Sequence, residues 1–166
     1  MLRRRDFALI VLLAAVLSVV FAPLVLRPRL APANFGDLYA YHYPQRHLAL
    51  STLQAGRLPL WNPYIFAGVP LAANPQTVLF YPVSVVHRVL PLAWAFSLEA
   101  FLHALLAAVG GFLLFRRWGL ERAGAWALGL ACAMSPFFLC RLPQGIPTQL
   151  ACLAWVPWAW LAASSG

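Results

Sequence analysis

Two acidic positions in this chain stand where a carboxylate could do chemistry. Asp37 is the only carboxylate between residues 27 and 88. A group of that kind can take a proton from an attacking hydroxyl or hold a divalent ion. Its plainer use is as the cap of a helix that the following residues predict, running to about Ala55, where Gly56 stops it. Glu99 precedes His103 by one helical turn, so both fall on one face of a helix inside an apolar run. Ionisable groups in such a run must bond each other or face a polar cleft, because either one meeting lipid is costly. Lining a cleft is the reading adopted here, and a mutual Glu–His hydrogen bond is the alternative.

The elements that must position these groups follow from composition. The 166 residues are 63% apolar and only 10% charged, with a mean hydropathy of +0.76. A soluble domain is about 25% charged, so much of this chain is built to meet lipid. That excludes a conventional soluble enzyme, a disordered tail and a disulfide-stapled secreted module. Four apolar runs predict membrane-spanning helices, each near the ~20 residues a bilayer crossing needs. They are 7–26, 89–115, 123–140 and 146–163, joined by a long loop at 27–88, a basic turn at 116–122 and a short turn at 141–145. The expected fold is therefore all-α, a polytopic integral membrane protein forming one membrane domain.

All twelve basic residues are arginine, and the net charge is +8. They sit at the ends of apolar runs and not in one patch, which argues against a nucleic-acid partner. Arg3, Arg4 and Arg5 place the N-terminus in the cytoplasm, and the turn at 116–122 belongs on the same side. The two assignments agree across two spans, leaving 27–88 extracytoplasmic. Ala31-Pro32-Ala33 has the small-x-small form of a signal cleavage site, but the apolar run before it is long for a signal peptide, so an uncleaved anchor is expected. Pairs such as Ala107 and Gly111, Ala125 and Gly129, and Gly129 and Ala133 suit close helix packing, and Pro136 and Pro157 should bend their spans. Cys132, Cys140 and Cys152 lack the spacing of a zinc site and read as packing residues, with a Cys140–Cys152 bridge as the alternative. The sequence stops as a span finishes, so the chain is expected to be the N-terminal part of a longer protein.

The long loop is where chemistry would sit. Its aromatic content disfavours disorder, and it should fold onto the membrane surface with an interfacial helix after Asp37 and a second short helix from about Pro82 to Leu90. Between them, Asn62-Pro63 and Asn74-Pro75 signal turns in an ordered irregular loop. That loop presents Trp61, Asn62, Tyr64, Asn74 and Gln76. Aromatic rings beside amides suit a sugar, one stacking on its apolar face and the other bonding its hydroxyls, and they equally suit anchoring among lipid headgroups.

The run Asp37-x-x-x-Tyr41-x-Tyr43-Pro44, the segment Pro59-Leu60-Trp61-Asn62-Pro63-Tyr64 with Gly68 and Pro70, and Ala73-Asn74-Pro75-Gln76 followed by Phe80-Tyr81-Pro82 resemble the YfhO family of bacterial membrane proteins. The likeness continues through Leu102-His103 and the Arg116-Arg117-x-Gly119 turn. That family is similar to the C-type (GT-C) polytopic glycosyltransferases, which take sugars from polyprenyl-phosphate carriers and commonly use an acidic residue early in the first external loop. The resemblance implies a multi-pass protein of the bacterial cytoplasmic membrane that transfers a sugar from a polyprenyl-phosphate donor to a cell-envelope polymer on the outer face. It implies Asp37 as the catalytic residue, acting as a base without a cofactor or as ligand to a divalent metal ion. His42, Arg46 and Arg57 become candidates to hold the lipid phosphate, arginine being suited to bidentate phosphate contact. Trp61, Asn62, Tyr64, Asn74 and Gln76 would shape the sugar pocket, with Glu99 and His103 beside it. Relatives have more spans, so later groups would be encoded beyond this sequence. Two rivals remain: a transporter or lipid flippase worked by Glu99 and His103, and a non-catalytic envelope-assembly protein that holds partners through its aromatic loop.

Overall fold

A computed structural model describes residues 4–27 and 36–164. Arg3, Arg29 and the Ala31-Pro32-Ala33 motif lie outside the described residues. The described chain is mostly helical, and three helical stretches are long and apolar enough to cross a membrane: Arg4–Leu26, Leu92–Arg117 and Arg122–Leu139. The first is helix α1. Its buried residues Leu13, Leu17 and Phe21 recur every four positions and form one stripe, while Val11, Leu12, Val19 and Val20 face outward. An apolar helix with an apolar outer face is what lipid contact selects.

The segment that follows begins with a π-helical turn, Leu38–His42, that runs directly into α2, Tyr43–Gln54. The predicted helix is present, but Asp37 does not cap it. Its own backbone is helical (φ −72°, ψ −11°) and its carboxylate accepts no cap hydrogen bond, because capping needs an extended residue whose side chain can turn back onto the first amides. The stretch read as irregular contains a short antiparallel hairpin, β1 (Trp61–Asn62) with β2 (Val69–Pro70), in which Trp61 opposes Pro70. A 3-10 turn at Pro75–Thr77 follows, capped by Asn74, whose Oδ1 accepts from Gln76 N at 2.9 Å. A second 3-10 turn at Pro82–Val85 leads into α3, Val86–Val89.

Helix α4, Leu92–Arg117, is the centre of the molecule, packed against α1, α5 (Arg122–Met134) and α8 (Pro147–Ala163). Small residues allow this. A Cβ on Gly129 would stand 2.7 Å from Ala108 O and 2.8 Å from Phe112 N, so only glycine lets α5 lie this close to α4. Ala107, Ala125 and Ala133 are buried in the same core. At one end of the bundle, Asp6 of α1 accepts from Arg122 Nε at 2.9 Å, with Arg116 Nε 3.7 Å away. The start of α1 and the turn between α4 and α5 thus share an end.

The third apolar stretch is not one helix. α5 stops at Met134, Ser135 is extended, and its hydroxyl caps α6, Pro136–Leu139, by accepting from Phe138 N at 3.2 Å. Proline at the first helical position ends one helix and starts the next. A further short helix, α7 (Arg141–Gln144), is closed by Gly145 in the left-handed region (φ +67°) before α8 begins. α8 spans 17 residues and is the shortest of the four apolar stretches.

Candidate functional site

Helices α2, α3 and α4 bring three side chains that are distant in sequence to one buried point. Arg46 Nη1 donates to Glu99 Oε2 at 2.5 Å, and Arg46 Nη2 to Oε1 at 3.3 Å. His87 Nε2 reaches the same Oε2 at 2.9 Å and also touches Arg46 Nη1. Arg46 and Glu99 are 3% and 1% exposed, so water contributes little and each charge depends on the other. The guanidinium also lies over the Phe96 ring, 4.7 Å from its centroid. Burial pushes the His87 imidazole below its usual range, the Arg46 charge adds to this, and the hydrogen bond to Glu99 opposes it. His42 is displaced in the same direction, first by burial and then by Arg46.

Glu99 and His103 do not bond through their side chains. His103 Nδ1 donates to the Glu99 carbonyl at 2.8 Å, which leaves Nε2 to accept from the Tyr81 hydroxyl at 2.9 Å. Trp155 Nε1 in turn donates to Tyr81 Oη at 2.8 Å. This chain ties α4 to the segment before it and to α8. A third polar link, Asn74 Nδ2 to Tyr41 Oη (2.8 Å) and to Gln45 Oε1 (2.9 Å), fixes the hairpin region onto α2.

Beside this network lies a cavity of about 560 Å³ between α1, α4 and the α7–α8 corner, walled by apolar groups such as Phe21, Ala100 and Leu150. Its polar lining comes from Ser97, Glu99, His103 and Arg141. Asp37 is exposed in an adjoining depression that shares Pro143 and Ile146 with the cavity wall. The junction is tight: a Cβ on Gly36 would meet Gln144 O at 2.7 Å, and Leu38 packs directly on Gly145.

The residues expected to act on substrate divide accordingly. Asp37 lies in the depression adjoining the cavity, and Glu99 and His103 line the cavity itself. Arg46 is not presented to a phosphate, because its guanidinium is committed to Glu99. His42 is buried with its ring edge-on to Tyr41, and its Nδ1 has no partner among the described residues. Arg57 and Gln76 are exposed, as are Trp61 and Tyr64. Asn62 is buried and accepts from Tyr64 N at 2.9 Å, and Asn74 is spent on the links above. Two of the amides expected in the sugar pocket, Asn62 and Asn74, thus stabilise turns. Sequence reading missed His87, Tyr81, Trp155 and Arg141. Tyr81 stood in the Phe80-Tyr81-Pro82 motif without a role, and the others carry no spacing signal, since each finds its partner through tertiary folding. Among the described residues no three or more His, Cys, Asp or Glu side chains gather to hold a metal ion. The three cysteines are free thiols. Comparison with known families, curated proteins and solved structures finds nothing that matches the chain.

Proposed function

We propose that this chain is the membrane part of a glycosyltransferase resembling the YfhO and C-type enzymes, moving a sugar from a polyprenyl-phosphate donor to a cell-envelope acceptor. In this reading the chain crosses the bacterial cytoplasmic membrane four times, with its N-terminus inside and the segment at 27–88 outside. The observation that carries it is the exposed Asp37 carboxylate in a depression adjoining the apolar cavity. An oily chamber suits a lipid chain, and a solvent-facing carboxylate in the adjoining depression suits the sugar end. The acceptor hydroxyl oxygen attacks the anomeric carbon, the bond from that carbon to the phosphate oxygen breaks, and Asp37 takes the hydroxyl proton. The polyprenyl phosphate leaves with the bonding electron pair. Glu99 serves the fold in this scheme, since its charge is already answered by Arg46; this counts against a flippase that moves substrate on Glu99.

The test uses oriented membrane vesicles from cells making the protein from its native reading frame, supplied with a polyprenyl-phosphate sugar. Wild-type transfer on the outer face that disappears with Asp37→Asn supports the reading. Transfer that survives Asp37→Asn removes the base, and sugar-lipid crossing without transfer replaces the enzyme with a flippase.

A further inference from the structure

The cavity is oily, yet among the described residues one half-buried cation on its lining, Arg141, has no counter-ion. Of its charged lining groups, Glu99 is neutralised by Arg46. Arg141 has no carboxylate within ion-pair distance among the described residues. Its Nη1 donates to Gln144 Oε1 at 2.5 Å, a neutral acceptor, and its guanidinium lies over Phe137 at 4.9 Å. Its Nε is buried and makes no hydrogen bond in the described structure. A buried donor left without an acceptor is destabilising, and a guanidinium is shaped to grip oxyanions in pairs. The cavity volume of about 560 Å³ falls within the usual ~300–1,000 Å³ of ligand sites.

We propose that Arg141 binds the anionic phosphate head of a lipid whose apolar chain occupies the cavity between α1, α4 and α8. The position is fixed by the fold: Ser135 and Pro136 break the third apolar stretch, and Gly145 turns the chain back, so α7 sits at the cavity rim and not in a straight helix. The adjoining depression places Asp37 on the side where the head would emerge. The inference deepens the transfer reading by naming the residue that holds the leaving phosphate, and it rests on that reading only for the lipid's use. The shared chemistry, one phosphate on a long chain, is available from a polyprenyl phosphate or from an anionic phospholipid.

The test is equilibrium lipid binding to the full chain in detergent micelles, with no acceptor present, so that it reads binding apart from transfer. Three probes are compared: a polyprenyl phosphate, the polyprenol of the same length, and phosphatidylglycerol. Variants are Arg141→Gln, Arg141→Lys and, as an exposed control, Arg88→Gln, each checked for an unchanged thermal unfolding profile. The expected result is at least a tenfold loss of phosphate-lipid binding in Arg141→Gln, partial recovery in Arg141→Lys and no change in Arg88→Gln. Ala100→Phe, which fills the chamber while keeping Arg141, should weaken binding too. Preference for the polyprenyl phosphate or for phosphatidylglycerol supports the site and assigns its source. Polyprenol binding as well as its phosphate, or Arg141→Gln binding as wild type, overturns the proposal. Arg141-dependent binding without transfer by the native protein would leave this site standing and remove the enzymatic reading.

Discussion

Arg46 and Glu99 stand 53 residues apart in sequence and 2.5 Å apart in space, both almost fully buried. Through this contact the segment that follows α1 is bolted to the central helix, with His87 as a second donor to the same carboxylate oxygen. Removing one partner strands the other charge, which costs about 3–5 kcal/mol. Arg46→Met and Glu99→Leu should each destabilise by that order, and the double variant should recover most of the loss. Denaturant unfolding in mild detergent measures it. A single-variant cost below ~1 kcal/mol would mean that the pair is solvated and screened.

Asp37 makes no cap bond, and that separates its structural role from a chemical one. A capping aspartate would lose about 1 kcal/mol on substitution. Asp37→Asn should leave the unfolding midpoint where it is while lowering transfer by ~10²–10⁴-fold, the usual worth of a general base. A drop in stability that accounts for the lost activity would contradict this.

Acid should loosen the fold before it affects anything else. The imidazoles of His42 and His87 are both held below their ordinary value, so the unfolded chain binds more protons than the folded one once pH falls below about 6.5. Their contribution is complete above that value and is lost as pH falls through it. The melting temperature should be flat above about pH 7 and decline towards ~pH 5. His87→Asn should shallow the decline, and an unchanged melting temperature at low pH would show that neither ring resists protonation.

Close approach of α5 to α4 sets a further expectation. Gly129→Ala puts a methyl against backbone atoms that cannot step aside, and overpacking of this kind costs ~1–3 kcal/mol. Gly124→Ala on the same helix, whose nearest neighbour would be Glu121 Cγ at 3.8 Å, should be neutral or stabilising, since alanine is the better helix former. Thermal unfolding of the two variants side by side decides it.

The orientation proposed for the chain has its own check. Phe66, 88% exposed near the hairpin turn, and Trp118, 53% exposed between α4 and α5, should report opposite sides of the membrane. In a background with Cys132, Cys140 and Cys152 replaced by serine, Phe66→Cys should react with an impermeant maleimide in intact cells. Trp118→Cys should react only after permeabilisation, and the reverse pattern inverts the topology.

The apolar runs and their breaks were legible in sequence because length, hydrophobicity and proline act locally. Pro136 announces the interruption that the structure places at Ser135, and Gly129 announces the α4–α5 contact. What could not be read depends on which distant groups meet. Arg46 looks like any arginine on a surface helix until Glu99 is folded against it. Asn62 and Asn74 look like sugar-binding amides, yet nearby amide protons in their own turns claim them first. Arg141 looks like a turn residue, and only the corner of α7 shows it at a cavity. Asp37 was legible as a position and not as a cap, because the backbone enters its helix one residue too early.

The junction of Leu38 with Gly145, and of Tyr81 with Trp155, has a consequence for how the molecule comes into being. A chain made from its N-terminus has the segment after α1 in hand long before either partner exists. Glu99 is the first anchor it can reach; the second and third emerge only with α7 and α8. The order of synthesis thus allows the segment to settle in two stages, held at one point and then closed at the others. A chain that has left the ribosome only as far as Met134 would carry this segment tethered through Arg46 but still open where Asp37 will lie.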